Sequence, residues 1–195
     1  MRKKLAAMIL LGCLLLTGCS DKRNEEGSNP SATPEVSQDA SQGTAEEDVY
    51  LIEFQATTVE GEEWNSDKFA NSKLTLVNAW ATYCNPCLSE MPDLGEIAAE
   101  YDAADLQIVG VVCDVTSDAD AEAIDTVKQL VEETKAAYPH LLLNESLYSA
   151  MIGASDSVPT TYFINREGQL LGYVIGAQEK GAWTSIIDEL LAEME

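Results

Sequence analysis

Two cysteines separated by two residues, Cys84-Asn85-Pro86-Cys87, are the side chains of this sequence best placed to do chemistry. They follow an apolar run of strand-forming residues, 74–80, and open a helical pattern over 86–101. A cysteine between strand and helix stands at the helix N-terminus, where unpaired N–H groups and the helix dipole stabilise a thiolate and lower its pKa. Pro86 suits the first helical turn, where its missing N–H is not needed. The second thiol, three residues on, is within reach to close a small disulfide ring. Such a pair can attack a partner's disulfide through Cys84 and release it through Cys87. A zinc ribbon would need a second ligand pair, but Cys113 stands alone and His140 is the one histidine. A c-type haem would need His where Leu88 stands. No metal and no cofactor is expected. A purely structural disulfide is the opposing reading, and a reduction potential below about −300 mV would mark it.

Alternating strands and helices must position these thiols. The run 74–80 is of buried-strand type, and in the helix after it Cys87, Met91, Leu94, Ala98 and Tyr101 share one face. A second buried strand is predicted over 108–115. An amphipathic helix follows over 119–138, with Ile124, Val127, Val131 and Thr134 inward and its acids on a solvated face. Two strands, 160–165 and 169–175, meet at Arg166-Glu167-Gly168, the signature of an antiparallel hairpin. The last helix, 180–194, turns Trp183, Ile187, Leu190, Leu191 and Met194 inward. This order predicts an α/β fold, a three-layer α/β/α sandwich with a mixed central sheet.

Acids outnumber bases 34 to 11 in the 195 residues, giving a formal net charge of −23. Such a surface repels phosphate backbones and anionic membranes, which excludes nucleic-acid binding through a basic patch. Residues 1–18 join a cationic head, Met1-Arg2-Lys3-Lys4, to the apolar stretch 5–16, which is too short to span a bilayer as a helix and reads as an export signal. It ends in Leu16-Thr17-Gly18-Cys19, which resembles the bacterial lipobox. That resemblance implies lipidation of Cys19 and cleavage before it, so that acyl chains hold the protein on the membrane. From 19 to 48 no aromatic residue occurs and Ser, Asn, Gln, Glu, Pro and Gly dominate, the composition of a flexible linker. As a random coil its r.m.s. reach is about 30 Å. Every Trp, Tyr and Phe lies at or beyond Tyr50, so 49–195 is read as one domain.

Val77-Asn-Ala-Trp-Ala-Thr-Tyr-Cys-Asn-Pro-Cys-Leu-Ser-Glu-Met-Pro92 resembles the thioredoxin superfamily, and more narrowly the membrane-tethered TlpA/ResA-like thiol–disulfide oxidoreductases. Val158-Pro159-Thr160-Thr161-Tyr162-Phe163-Ile164 resembles the cis-proline loop of that family, and 54–61 its first strand and hairpin. The resemblance implies a thioredoxin fold, with Cys84 as attacking and Cys87 as resolving thiol. It implies a cis Pro159 facing the disulfide and exposing the Val158 backbone to substrate. Tyr83, Val158, Pro159 and Trp80 would form the substrate surface. Most relatives carry Trp where this chain has Tyr83, so altered partner fit is expected. Asn78 stands where cytosolic thioredoxins bury an Asp, and as a satisfied buried amide it cannot act as a base.

Glu90 lies three residues after Cys87, about 60° round the helix, so its carboxylate can approach the buried thiol. The family resemblance implies proton transfer at this position, against the plainer reading of a helix-surface Glu. Cys113 is read as a small buried hydrophobe, His140 as a surface or edge residue, and Trp183 as core. The function expected from the resemblance is reduction of disulfides in exported proteins, apocytochrome c or a methionine sulfoxide reductase among them. A membrane thiol transporter of the CcdA/DsbD type would recharge the protein, which is expected to be a monomer. One alternative is a peroxiredoxin-like peroxidase, disfavoured because Ala81 stands where Thr or Ser would precede the peroxidatic Cys by three. The other is a tethered binding module with a structural CxxC. If Cys19 carries the anchor, Cys19→Ala shifts the protein from the membrane to the soluble fraction or leaves it unprocessed. Correct cleavage with full membrane retention would rule the anchor out.

Overall fold

The computed structural model describes residues 50–194; the segments expected to be a signal peptide and a linker, with Cys13 and Cys19, lie outside the described residues. Leu74–Trp80 forms β3, and all seven of its residues are buried, as an apolar run without alternation predicts. Strand β3 pairs in parallel with β4 (Leu106–Thr116) and antiparallel with β6 (Thr160–Asn165). Beyond β4 lies β5 (His140–Leu143), parallel to it. Then come β1 (Gln55–Thr58) and β2 (Glu63–Asn65), while β7 (Leu170–Ile175) forms the opposite edge beside β6. The sheet order is β2-β1-β5-β4-β3-β6-β7. Gly168 turns the β6–β7 hairpin at φ 82°, a left-handed conformation that favours glycine.

The three long helices pack on one face. From α1 (Asn85–Glu100), α2 (Ala121–Thr134) and α4 (Lys180–Glu193), the side chains of Met91, Leu94, Val127, Trp183 and Ile187 join Leu76 and Trp80 in one core. The other face has thinner cover: α3 (Glu145–Ala150), two 3-10 turns (Ser66–Asn71 and Ile152–Ala154) and the chain around Phe54. There Phe54, Trp64 and Phe69 form a ring cluster with centroids 5.4–5.9 Å apart. The α/β/α sandwich with a mixed sheet is therefore present, with unequal outer layers.

Helix α2 ends four residues earlier than its periodicity suggests. Lys135 takes a left-handed conformation at φ 56° and returns its N–H to the carbonyls of Val131 and Glu132, a C-terminal stop that no glycine announces. Of the predicted stripe only Val127 is fully buried, and Ile124, Val131 and Thr134 are half-buried.

His140 corrects the sequence expectation of a surface or edge position. Strand β5 lies between β4 and β1, so His140 is buried, with Nδ1 accepting from Trp80 Nε1 at 3.1 Å and Nε2 3.0 Å from the Ala136 carbonyl. Tyr138 stacks on its ring at 4.6 Å. Gly110, its partner in the β4–β5 ladder, leaves room for the imidazole, which any side chain at 110 would strike. Burial lowers the His140 pKa from 6.5 to about 4. The neutral ring's contribution to stability is therefore complete above pH 6.5 and is lost as pH falls towards 4. Between pH 7 and pH 4, urea unfolding of the wild type should lose up to about 3 kcal/mol more than that of His140→Gln. Equal losses would contradict the neutral buried histidine.

Candidate active site

The chain leaves β3 at Trp80 and reaches the helix through a three-residue loop. Thr82 anchors that loop to β4: its N–H donates to the two Asp114 carboxylate oxygens at 3.0 and 3.1 Å, and its hydroxyl to Oδ2 at 2.5 Å. Cys84 then serves as the N-cap of α1, its N–H donating to the Ala81 carbonyl at 3.0 Å and its Sγ accepting from the Cys87 N–H at 3.3 Å. Cys84 and Cys87 are joined in a disulfide, with Cα atoms 5.3 Å apart. The two sulfurs are not equivalent, since Cys84 retains 6% exposure and Cys87 none. A residue that must meet a partner needs that opening, and one that acts only within the protein does not.

Beside the disulfide, Tyr83 is 75% exposed and presents its ring to solvent. The Val158–Pro159 peptide is cis, as the family resemblance implies. Pro159 is buried, its carbonyl accepting from Gly176 N–H at 2.8 Å, and Val158 is half-buried. Trp80 corrects the expectation of a substrate contact. It points into the core with its indole N–H on His140, and so underlies the loop instead of facing a partner.

Glu90 is buried on the α1 face that carries Cys87, which removes the reading of a surface carboxylate. One oxygen accepts from Asn78 Nδ2 at 3.0 Å and the other from the Gln178 N–H at 3.0 Å. Asn78 also donates to Thr161 Oγ1 at 2.9 Å, while its Oδ1 is buried without a partner, so the amide is only partly satisfied. The indole nitrogen of Trp183 lies beside the carboxyl without completing a hydrogen bond. Burial raises the Glu90 pKa above the usual carboxylate value, the two N–H donors oppose that rise, and Asp93 adds to it.

Cys113 is half-buried, with its thiol on the Val111 carbonyl at 3.6 Å. Burial, then the charge of Asp114, pushes its pKa up to about 12, which keeps it a thiol near neutral pH. It lines a cavity of about 200 Å³ together with Tyr83, Val158 and Tyr162. No cluster of metal-ligating side chains occurs among the described residues, and no helix among them is long and apolar enough to cross a membrane. Asp114, Thr161 and Gln178 escaped sequence reasoning. Their one signal is Asp114, an acid inside an apolar strand. Thr161 and Gln178 act through register and through a main-chain N–H that no residue type encodes.

Comparison with known proteins agrees with this geometry. Residues 50–172 match the AhpC/TSA family. A protein of Oceanobacillus iheyensis named thiol-disulfide oxidoreductase ResA is 36% identical over 107 residues, which are 54% of this chain and 50% of that protein, so the match spans half of the relative's length. Two solved structures share the fold. A thiol:disulfide interchange protein of the thioredoxin family from Chlorobium tepidum has a TM-score of 0.62 at 24% identity, covering 73% of this chain and 96% of that one. The exposed lipoprotein thioredoxin Etrx1 of Streptococcus pneumoniae has a TM-score of 0.57 at 25% identity, covering 70% and 98%. With a cysteine pair capping the helix after the central strand and a cis-proline loop beside it, the chain belongs to the AhpC/TSA family of thioredoxin-like proteins, among relatives named as thiol–disulfide oxidoreductases.

Proposed function

We propose that this protein is a thiol–disulfide oxidoreductase that reduces disulfides in exported partner proteins and is held by a lipid on Cys19 at the extracytoplasmic face of a membrane. The observation that carries the reading is the asymmetric disulfide, with Cys84 at a helix N-terminus keeping a trace of exposure and Cys87 sealed on the helix face of a buried carboxyl. In the reduced protein the Cys84 thiolate attacks one sulfur of the partner's disulfide. That S–S bond breaks, and one partner sulfur leaves as thiolate. Glu90 takes the proton of the Cys87 thiol, and the Cys87 thiolate attacks Cys84 Sγ. The second partner thiolate then leaves and is protonated. Two electrons pass to the partner, and the Cys84–Cys87 disulfide is the product. A membrane dithiol carrier of the CcdA/DsbD type restores the thiols by the reverse exchange.

Tyr83 and Val158, with the buried cis Pro159 setting the path of the loop, form the surface that receives the partner, with apocytochrome c and methionine sulfoxide reductase as candidates, and the protein acts as a monomer. The Etrx1 name, which describes an exposed lipoprotein, supports the anchor. Glu90 suits a base because burial raises its pKa, and a 180° turn of the Asn78 amide presents Oδ1 to the protonated acid. The peroxidase alternative is weaker because Cys84 pairs with the adjacent Cys87 and position 81 offers only a methyl group.

Cys87→Ala should accumulate mixed disulfides through Cys84 on non-reducing gels, whereas Cys84→Ala should accumulate few. Equal trapping by both variants would refute the assignment of attacking thiol. Glu90→Gln should move iodoacetamide titration of the active thiols to lower pH, because a nearby negative charge is gone. The same change should slow insulin-disulfide reduction near neutral pH by about tenfold or more, because the base is gone. Wild-type values in both assays would send the proton to solvent instead.

A further inference from the structure

The thin face of the sheet leaves an aromatic hollow beside the active site. A cavity of about 660 Å³ has Tyr50, Tyr148, Tyr162 and Tyr173 in its walls. Tyr50, Tyr148 and Tyr173 are each more than half exposed, as is Ile175 in the same wall. Tyr173 and Ile175 of β7 stand on the side of Tyr162 across the ladder, and Leu170, beyond a bulge in the pairing, lines the same cavity. Tyr162 is only 3% exposed, and its hydroxyl lies beside the Ser155 side chain without completing a hydrogen bond. It also lines the smaller cavity that holds Tyr83, Cys113 and Val158, and both cavities share Tyr148 and residues 155–157. The two are therefore one groove, leading from the flank of the disulfide to the edge strand.

The stretch of lining that the two cavities share is pre-formed. Ser157 N–H donates to Ser155 Oγ at 3.3 Å, Thr160 Oγ1 donates to the Ser157 carbonyl at 2.7 Å, and Ser155 and Thr160 share a hydrogen bond at 3.1 Å. A surface held in place before binding loses less entropy when a partner arrives. Exposed tyrosines are the usual anchors of protein interfaces, offering large rigid contact area with a polar tip. Charge limits the occupant. The described residues contain Lys68, Lys73, Lys128, Lys135, Arg166 and Lys180 as their cations, and none of these lines either cavity, whereas Asp156 lines both.

We propose that this tyrosine groove docks an extended segment of the partner protein, apolar with a basic residue, that adjoins the partner's target cysteine. The inference rests on the oxidoreductase reading and extends it. With its cysteine at Cys84, the partner chain passes Tyr83 and Val158 and continues into the groove, where Tyr148, Tyr173 and Ile175 hold apolar side chains. Its basic group meets Asp156, and a polar group completes a hydrogen bond with the Tyr162 hydroxyl.

The test uses the reduced full-length protein and two synthetic peptides, each closed by one disulfide. One cysteine is flanked by tyrosine, leucine and lysine in the first peptide, and by serine, glycine and glutamate in the second. Wild type should reduce the first with a kcat/KM at least fivefold above the second, chiefly through KM. The Tyr148→Ala, Tyr173→Ala double variant should bring the ratio near one, and the corresponding Phe pair should keep most of it. If the Ala pair disturbs folding, Ile175→Ser on the exposed face should lower the ratio in the same way. Equal rates on both peptides, or an unchanged ratio in the variants, would overturn the docking site while hydroxyethyl disulfide is still reduced. Failure on hydroxyethyl disulfide as well would overturn the oxidoreductase reading, and this inference with it.

Discussion

Strand β3 is hydrogen-bonded along both edges and buried on both faces, and the active site hangs from that confinement. A strand so enclosed cannot slip by one residue without exchanging its two faces. Asn78 must therefore point to α1 and Glu90, and Trp80, two residues on, must share that face and meet His140. The loop beyond Trp80 is tied to β4 by Asp114, and the cis-proline loop enters β6 on the other side. The capping cysteine, its tether and the cis-proline loop thus come from three adjacent strands, so their spacing is set by the sheet.

The same confinement makes Glu90 expensive. An ionised carboxylate taken from water costs several kcal/mol unless it is well hydrogen-bonded. Here the Gln178 N–H and the Asn78 amide repair part of that loss. The unpartnered Asn78 Oδ1, Trp183 Nε1 and Tyr138 hydroxyl show that the polar groups on this side of the sheet are incompletely matched in the disulfide state. A core selected for stability alone would carry an apolar residue at position 90, since a half-satisfied buried network is worse than none. In the mechanism proposed above, that acid stands where the buried Cys87 thiol would lose its proton.

The unequal layers divide the labour between the two faces. The thick side holds α1 against α4 through Trp183 and Ile187, with Lys180 bridging Glu96 and Glu100 at 2.8 and 2.6 Å at the rim. Those ion pairs are exposed and add little beside the buried rings. The thin side leaves the β6–β7 face and its tyrosines open next to the CxxC loop. The helices thus lie behind the CxxC loop, and the less covered sheet face is the one that leaves its tyrosines exposed.

Local chemistry was legible along the chain. The strand at 74–80, the helix opening on Cys84, the hairpin at Gly168 and the core side of the last helix each depend on periodicity, capping or turn residues within a few positions. The CxxC pair was readable because both thiols and their helix lie in one stretch. What failed to show were contacts between distant segments. His140 reads as a surface residue because its neighbours in sequence, Pro139 and the helix before it, say nothing of Gly110 and Trp80, which enclose it. Trp80 reads as a substrate contact because it sits near Cys84 in the chain, whereas strand alternation turns it inward. The composition and spacing of residues determined a redox pair on a strand–helix junction in an acidic chain. Only the tertiary structure decided which carboxyl is buried, which aromatic residues stay exposed and where the cavities beside the CxxC loop lie, because burial is set by elements that meet across the sheet from far apart in sequence.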